Sequence, residues 1–244
     1  MAQFFDEAAW QRIIRQPDWY VQLYPQLEAL RRQWEIAPED EANAIKRAVR
    51  GFFANALEEG TVALANDGPD LDRERLPIDT IVIHHTSAKP GYRLSYMNAT
   101  QMLNIYVPYF MNPTNESEKN LKAKPLWSNH VRDGRSVFYA YHWLMRMDGS
   151  FERLLDDNEL GWHAANCDIN RRSVALCLDN DYEKHDPSPE ILDKLANFIT
   201  QNYSDVPVDR IIGHGEVSNH PTDCPGSNFV KGWKDELLRA IGQI

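Results

Sequence analysis

Two histidines and a cysteine carry the most chemistry in this 244-residue chain. His84 ends an apolar, β-branched run, Ile81-Val82-Ile83, and far downstream Gly213-His214 is followed ten positions later by Cys224-Pro225-Gly226. Two imidazoles and a thiolate make a three-ligand set for Zn2+ with one coordination position left open, the pattern of a catalytic site. Structural zinc closes its tetrahedron with four protein ligands, often in Cys-x-x-Cys pairs, and the sequence has no such pair. Taken singly, the same residues have plainer readings: a hydrogen-bonded histidine in core or surface, or a buried cysteine acting as a small hydrophobe. A cysteine hydrolase with Cys224 as nucleophile and His214 as base would use two of them. Against it, Pro225-Gly226 sets the thiol in a rigid turn rather than at a helix N-terminus, where its pKa would fall.

Ligands of this kind belong at strand ends, where a sheet fixes the backbone and the side chain reaches a cleft. Thr80 to His84 reads as a buried strand, and His85, alternating to the other face, is not expected to share an ion with His84. Tyr139 to Met147 reads as a second strand, turned by Asp148-Gly149 into Ser150 to Leu154. Within it Tyr141 and His142 face opposite sides, which sends His142 to the core. Ser173 to Leu178 is a third strand, with Cys177 a core residue between leucines. Ser188-Pro189 opens a helix carrying Ile191, Leu192, Leu195, Phe198 and Ile199. Val208 to Ile212 is a short strand delivering His214, and a last helix carries Phe229, Trp233, Leu237 and Ile241. The fold class expected is α/β, a mixed central sheet flanked by helices, with an N-terminal helical extension.

That extension covers residues 1–75. Trp10, Ile13 and Ile14, then Tyr20, Leu23 and Leu27, suggest two short helices. Pro38-Glu39-Asp40-Glu41 opens a third, whose apolar face runs from Ile45 through Val49, Phe52, Phe53 and Ala56 to Leu57. Asn66-Asp67-Gly68-Pro69-Asp70 is turn chemistry and marks the boundary. The second region spans 76–244, with an insertion around 87–135. The insertion starts as a helix around Ala99 to Tyr109 and continues as a polar loop, Asn112 to Ser117.

Composition narrows the function. A hydrophobic fraction of 43% with seven tryptophans describes a packed globular chain. A net charge of −10, with no Lys/Arg cluster, argues against nucleic acid as partner. No apolar run is long enough to insert into a membrane. The three cysteines are too few for a disulfide framework and suit a reducing compartment. The opening residues lack the basic and apolar regions of a signal peptide, so a cytoplasmic location is expected.

The flanking motifs bring a family into view. Ile81-Val82-Ile83-His84-His85-Thr86, Tyr141-His142-Trp143-Leu144 with Asp148-Gly149, Gly161-Trp162-His163-Ala164, Ser173-Val174-Ala175-Leu176 and Gly213-His214 to Cys224-Pro225-Gly226 stand in family order. From about Leu76 onward the chain resembles the zinc-dependent N-acetylmuramoyl-L-alanine amidases of the phage-lysozyme and peptidoglycan-recognition-protein type. The resemblance implies that fold, Zn2+ held by His84, His214 and Cys224, and hydrolysis of the amide between N-acetylmuramic acid and L-alanine. It assigns Tyr141 to the catalytic site, where its hydroxyl would serve the developing oxyanion, and Gly161 to Ala165 to the wall of a substrate groove. Substrate-binding candidates are therefore His85, Trp162, His163, Ala164, Asn166 and Asn170, although loop asparagines also serve as turn formers.

In two places the chain departs from parts of the family. Thr222 stands where many bacterial and phage members carry lysine, as in the recognition-protein branch, and is the candidate for proton handling. No carboxylate occupies Ala175 to Leu178, where some recycling members place a glutamate. The alternative function is a non-catalytic module binding peptidoglycan or muropeptides. The N-terminal helices are expected to dock their apolar faces on the amidase domain or on a protein partner. An enzyme without an export signal would act in cell-wall recycling, as an endolysin released by a pore-forming partner, or as an exported effector.

Overall fold

The computed structural model describes residues 4–111 and 121–242, which form two compact units. The first unit joins the chain up to Leu71 with residues 93–138. Its helices are α1 (Glu7–Ile13), α2 (Trp19–Ile36), α3 (Glu39–Glu58), α4 (Leu94–Gln101) and α5 (Val107–Met111), the last two linked by a π turn at Met102–Tyr106. Asp6 starts α1 by accepting the Ala9 N–H at 3.0 Å, which satisfies one of the free donors at a helix start. The stripe expected on α3 is buried at Ile45, Val49, Phe52, Phe53 and Ala56. Trp10 meets Phe52 edge-on at 5.5 Å, and Trp19 lies 5.2 Å from Phe53. Tyr20 donates its hydroxyl to the Lys124 carbonyl at 2.8 Å, and Asn98 accepts the Phe138 N–H at 2.7 Å. These bonds hold the inserted segment and the N-terminal helices in one unit. The polar loop expected at Asn112 to Ser117 lies outside the described residues.

The second unit contains a mixed sheet of β1 (Thr80–His85), β2 (Trp143–Met145), β3 (Phe151–Arg153), β4 (Ser173–Leu178) and β5 (Ile211–Gly213). The spatial order is β3-β2-β4-β1-β5. β1 runs parallel to β4 and β5, β4 runs parallel to β2, and β2 and β3 form the antiparallel hairpin. Every residue of β1 and β4 is buried, as parallel strands covered on both faces require. One face carries Ile81, Ile83, Val174, Leu176 and Leu178. Onto it pack α7 (Pro189–Asn202), through Ile191, Leu192, Leu195 and Ile199, and α9 (Lys234–Gly242), through Leu237. Alternation therefore puts His84, Ser173 and Cys177 on the opposite face, with His84 and Cys177 side by side in the register. Among the described residues, no helix is long and apolar enough to cross a membrane.

Three expected strands are shorter than their pattern, Ser150 to Leu154 by one residue at each end. β2 begins at Trp143 rather than Tyr139: the His142 N–H still donates to the Ala175 carbonyl at 3.1 Å, but the return bond goes to the His142 side chain. Its Nδ1 accepts the Ala175 N–H at 3.1 Å, in place of a main-chain carbonyl. The His142 carbonyl turns instead to the Leu154 N–H at 2.8 Å. With Nδ1 accepting, the neutral ring carries its proton on Nε2 and donates it to the Glu159 carbonyl at 3.1 Å. Val208–Arg210 forms a 3-10 turn, closed by Arg210 N–H to the Pro207 carbonyl at 2.8 Å, so β5 starts at Ile211.

Close packing around His142 leaves no space for a side chain at residue 161. A Cβ on Gly161 would lie 2.4 Å from the Ala140 carbonyl oxygen and 2.9 Å from His142 Cε1. Gly161→Ala is expected to lower the unfolding free energy by about 1–3 kcal/mol, measured as a shift of the urea midpoint.

Candidate metal centre

Strand pairing brings the first two candidate ligands together. β1 and β5 are parallel neighbours with Ile83 opposite Gly213, so the next residue on each, His84 and His214, emerges at the same level. Their ring centroids are 4.7 Å apart. His214 opens a single helical turn, α8 (His214–Val217), and Glu216 fixes it by accepting the Gly213 N–H at 2.7 Å. The third candidate, Cys224, returns to this point on a loop pinned at several places. The Gly215 N–H donates to the Cys224 carbonyl at 2.7 Å, and the Cys224 N–H donates to Thr222 Oγ1 at 3.3 Å. A Cβ on Gly215 would sit 2.7 Å from the Thr222 carbonyl oxygen, so only glycine allows that approach.

The donor atoms of His84, His214 and Cys224 all lie within 4.8 Å of one another. His84 Nδ1 is 3.7 Å from Cys224 Sγ. A tetrahedral zinc with ordinary Zn–N and Zn–S lengths separates its nitrogen and sulfur ligands by about 3.6 Å, so the pair is already spaced for the ion. His214 Nε2 is buried and makes no hydrogen bond among the described residues. Burial drives the pKa of His84 well below the usual imidazole value, with His163 and His214 adding to the effect. Burial also lowers that of His214, opposed by the Ala164 carbonyl. Both rings are thus neutral, as metal coordination requires. Burial pushes the Cys224 thiol up to about 12, against the pull of the His85 main-chain N–H. That is the reverse of an activated nucleophile, and it weighs against a cysteine hydrolase.

The other expected site residues fall into two groups. Tyr141 stands beside the ligands, its ring centroid 4.9 Å from that of His84. Trp162 is half-buried on the loop that follows Gly161. His163 is 5% exposed; its Nδ1 lies 3.0 Å from His84 Nε2 and its Nε2 lies 3.0 Å from Ser173 Oγ. The second group serves the backbone. Asn170 Oδ1 accepts the N–H groups of His163 at 3.2 Å and Ala164 at 2.8 Å. Asn166 Oδ1 caps α6 (Cys167–Arg172), and its Nδ2 donates to the Val217 carbonyl at 3.1 Å. Ala164 is wholly buried. His85 faces away from His84, its Nδ1 accepting the Tyr182 N–H at 3.0 Å, and burial lowers its pKa to about 4. Ser173 and Glu216 were not singled out by sequence. Ser173 shows only as the first residue of an apolar strand, and its role depends on a histidine ten residues earlier.

Residues 74–227 match the family model described as N-acetylmuramoyl-L-alanine amidase. The chain belongs to this family. The match to the amidase family starts after α3, so the first three helices lie outside it. Among solved structures, the endolysin amidase LysCS from Clostridium intestinale URNW is 19% identical, over 72% of this chain and 94% of its own, with a TM-score of 0.46. Drosophila peptidoglycan recognition protein SD is 19% identical over 70% and 89%, with a TM-score of 0.42. The endolysin of Thermus scotoductus MAT2119 bacteriophage Ph2119 is 17% identical over 68% and 86%, with a TM-score of 0.40. No curated protein matches the chain.

Removing the acceptor that Asn170 offers leaves two N–H groups without it. Asn170→Ala is expected to reduce stability by about 1–3 kcal/mol, seen in chemical denaturation. A variant of unchanged stability but raised KM would mark Asn170 as a substrate contact instead.

Proposed function

We propose that the protein is a zinc-dependent N-acetylmuramoyl-L-alanine amidase, cleaving the amide between N-acetylmuramic acid and L-alanine in peptidoglycan or muropeptides. The observation that carries this reading is the convergence of His84, His214 and Cys224, with donor atoms within 4.8 Å of one another, in a chain of the amidase family. When bound, zinc supplies a Lewis acid and a water whose pKa falls to about 7. The protein supplies the rest. His84 and His214 enter as neutral rings on adjacent strands, and Cys224 enters on a loop held by Gly215 and Thr222. Tyr141 brings a phenol next to His84, suited to donate to the amide oxygen as negative charge builds on it. Thr222 holds the Cys224 turn through its hydroxyl oxygen and is the candidate for proton handling. His85, Trp162, His163, Ala164, Asn166 and Asn170 remain candidates for shaping or contacting the substrate groove. The net charge of −10 gives no attraction to an anionic wall, which favours soluble muropeptides as substrate.

Purified protein is expected to hold one zinc per chain and to release stem peptide from a muropeptide, losing activity to a chelator and regaining it with added zinc. Zinc binding without cleavage of several muropeptides would support a binding module instead. Tyr141→Phe is expected to lower kcat by about 10²-fold or more, with zinc content unchanged. Full activity in that variant would remove Tyr141 from the chemistry.

A further inference from the structure

We propose that His163 and Ser173 are positioning residues, which fix the tautomer of His84 so that its Nδ1 is left bare toward Cys224. The inference rests on the zinc reading above and extends it from the ligands to the groups that prepare one of them.

The direction of every proton in this chain of groups follows from its far end. Ser173 Oγ is 2.7 Å from the Ile169 carbonyl oxygen. A carbonyl only accepts, so the single hydroxyl proton points there. The same oxygen lies 3.0 Å from His163 Nε2 and has only lone pairs left to offer. His163 must therefore carry its proton on Nε2, and its Nδ1 is an acceptor. That Nδ1 is 3.0 Å from His84 Nε2, a distance at which two bare nitrogens would repel. His84 consequently holds its proton on Nε2. Its remaining nitrogen, Nδ1, is the one 3.7 Å from Cys224 Sγ.

His84 and Ser173 are fully buried and His163 is 5% exposed, so each lost bond leaves an unmet polar group in a dry interior. The rings of His84 and His163 stand at 89° to one another, with Nε2 of the first 3.0 Å from Nδ1 of the second. His163 is itself anchored, because Asn170 holds its main-chain N–H. In the opposite tautomer the proton on Nδ1 would occupy the direction a metal ion needs. Groups that orient a metal-bound histidine commonly change metal affinity by about 10–100-fold when removed.

The test uses the full-length protein, with zinc affinity read by competition against a chromophoric chelator. His163→Leu keeps the volume and removes the acceptor; it is expected to bind zinc about 10–100-fold more weakly. His163→Asn places an amide oxygen near the position of Nδ1 and is expected to recover most of that loss. A second readout, free of metal and of activity, is nitrogen-15 NMR of the metal-free protein, where His84 should be protonated on Nε2. In Ser173→Ala, a smaller change that keeps the strand, the proportion protonated on Nδ1 should rise. Parental zinc affinity in folded His163→Leu would overturn the proposal. Equal losses in the Leu and Asn variants would also overturn it, since they would reduce His163 to packing. Protonation of His84 on Nδ1 in the parent would do the same. Absence of zinc binding in the parent would refute the zinc reading, and the NMR measurement would still judge the tautomer.

Discussion

Parallel pairing of β1 with β5 is the constraint on which the candidate centre depends. Neighbouring strands in a sheet lie roughly 4.8 Å apart, close to the separation that two imidazoles bound to one ion need. The register then decides which residues benefit. With Ile83 opposite Gly213, His84 and His214 leave the sheet at the same height. A slip of one residue would send one ring to the face covered by α7 and α9. The apolar packing of Ile81, Ile83 and Ile211 on that face is thus what holds the polar centre in alignment on the other. Sheet and centre are two sides of one structural decision.

Burying several histidines is costly unless each ring nitrogen has a partner. The protein meets that requirement by giving imidazoles tasks that backbone groups usually perform. His142 stands in for a carbonyl in the β2–β4 ladder, and His85 accepts the Tyr182 N–H. His163 lies between another imidazole and a serine. Among the described residues His214 Nε2 is a buried ring nitrogen with no hydrogen-bond partner, and His214 belongs to the candidate metal set.

Much of this was legible in the sequence, for identifiable reasons. The run Thr80 to His84 is β-branched and apolar, so its burial as a strand followed from composition; its place between β4 and β5 comes from the structure. The stripe on α3 and the capped start of α7 at Ser188 were equally direct. What failed to show was anything depending on a side chain acting as backbone. Tyr139 to Met147 has the alternation of a long strand, yet the ladder stops at Trp143, and the Ala175 N–H goes to the His142 side chain. Asn166 and Asn170 are substrate-contact candidates in a loop where asparagine is more often a turn former; the structure commits their oxygens to N–H groups of the chain. The candidate metal set was visible because three residue types of restricted chemistry occur in recognisable flanks. The serine behind His163 was not, since a hydroxyl at the head of an apolar strand carries no sign of its partner.

The division of the chain has a practical consequence for anyone dissecting it. The sheet-bearing unit is discontinuous: residues 72–92 supply β1, and the chain returns to that unit only at Tyr139. The intervening stretch folds with α1, α2 and α3, which precede the family match. Trimming the N-terminus alone would therefore strand residues 93–138 without the apolar helices they fold with. Isolating the sheet-bearing unit calls for removal of residues 93–138 as well as the terminal cut.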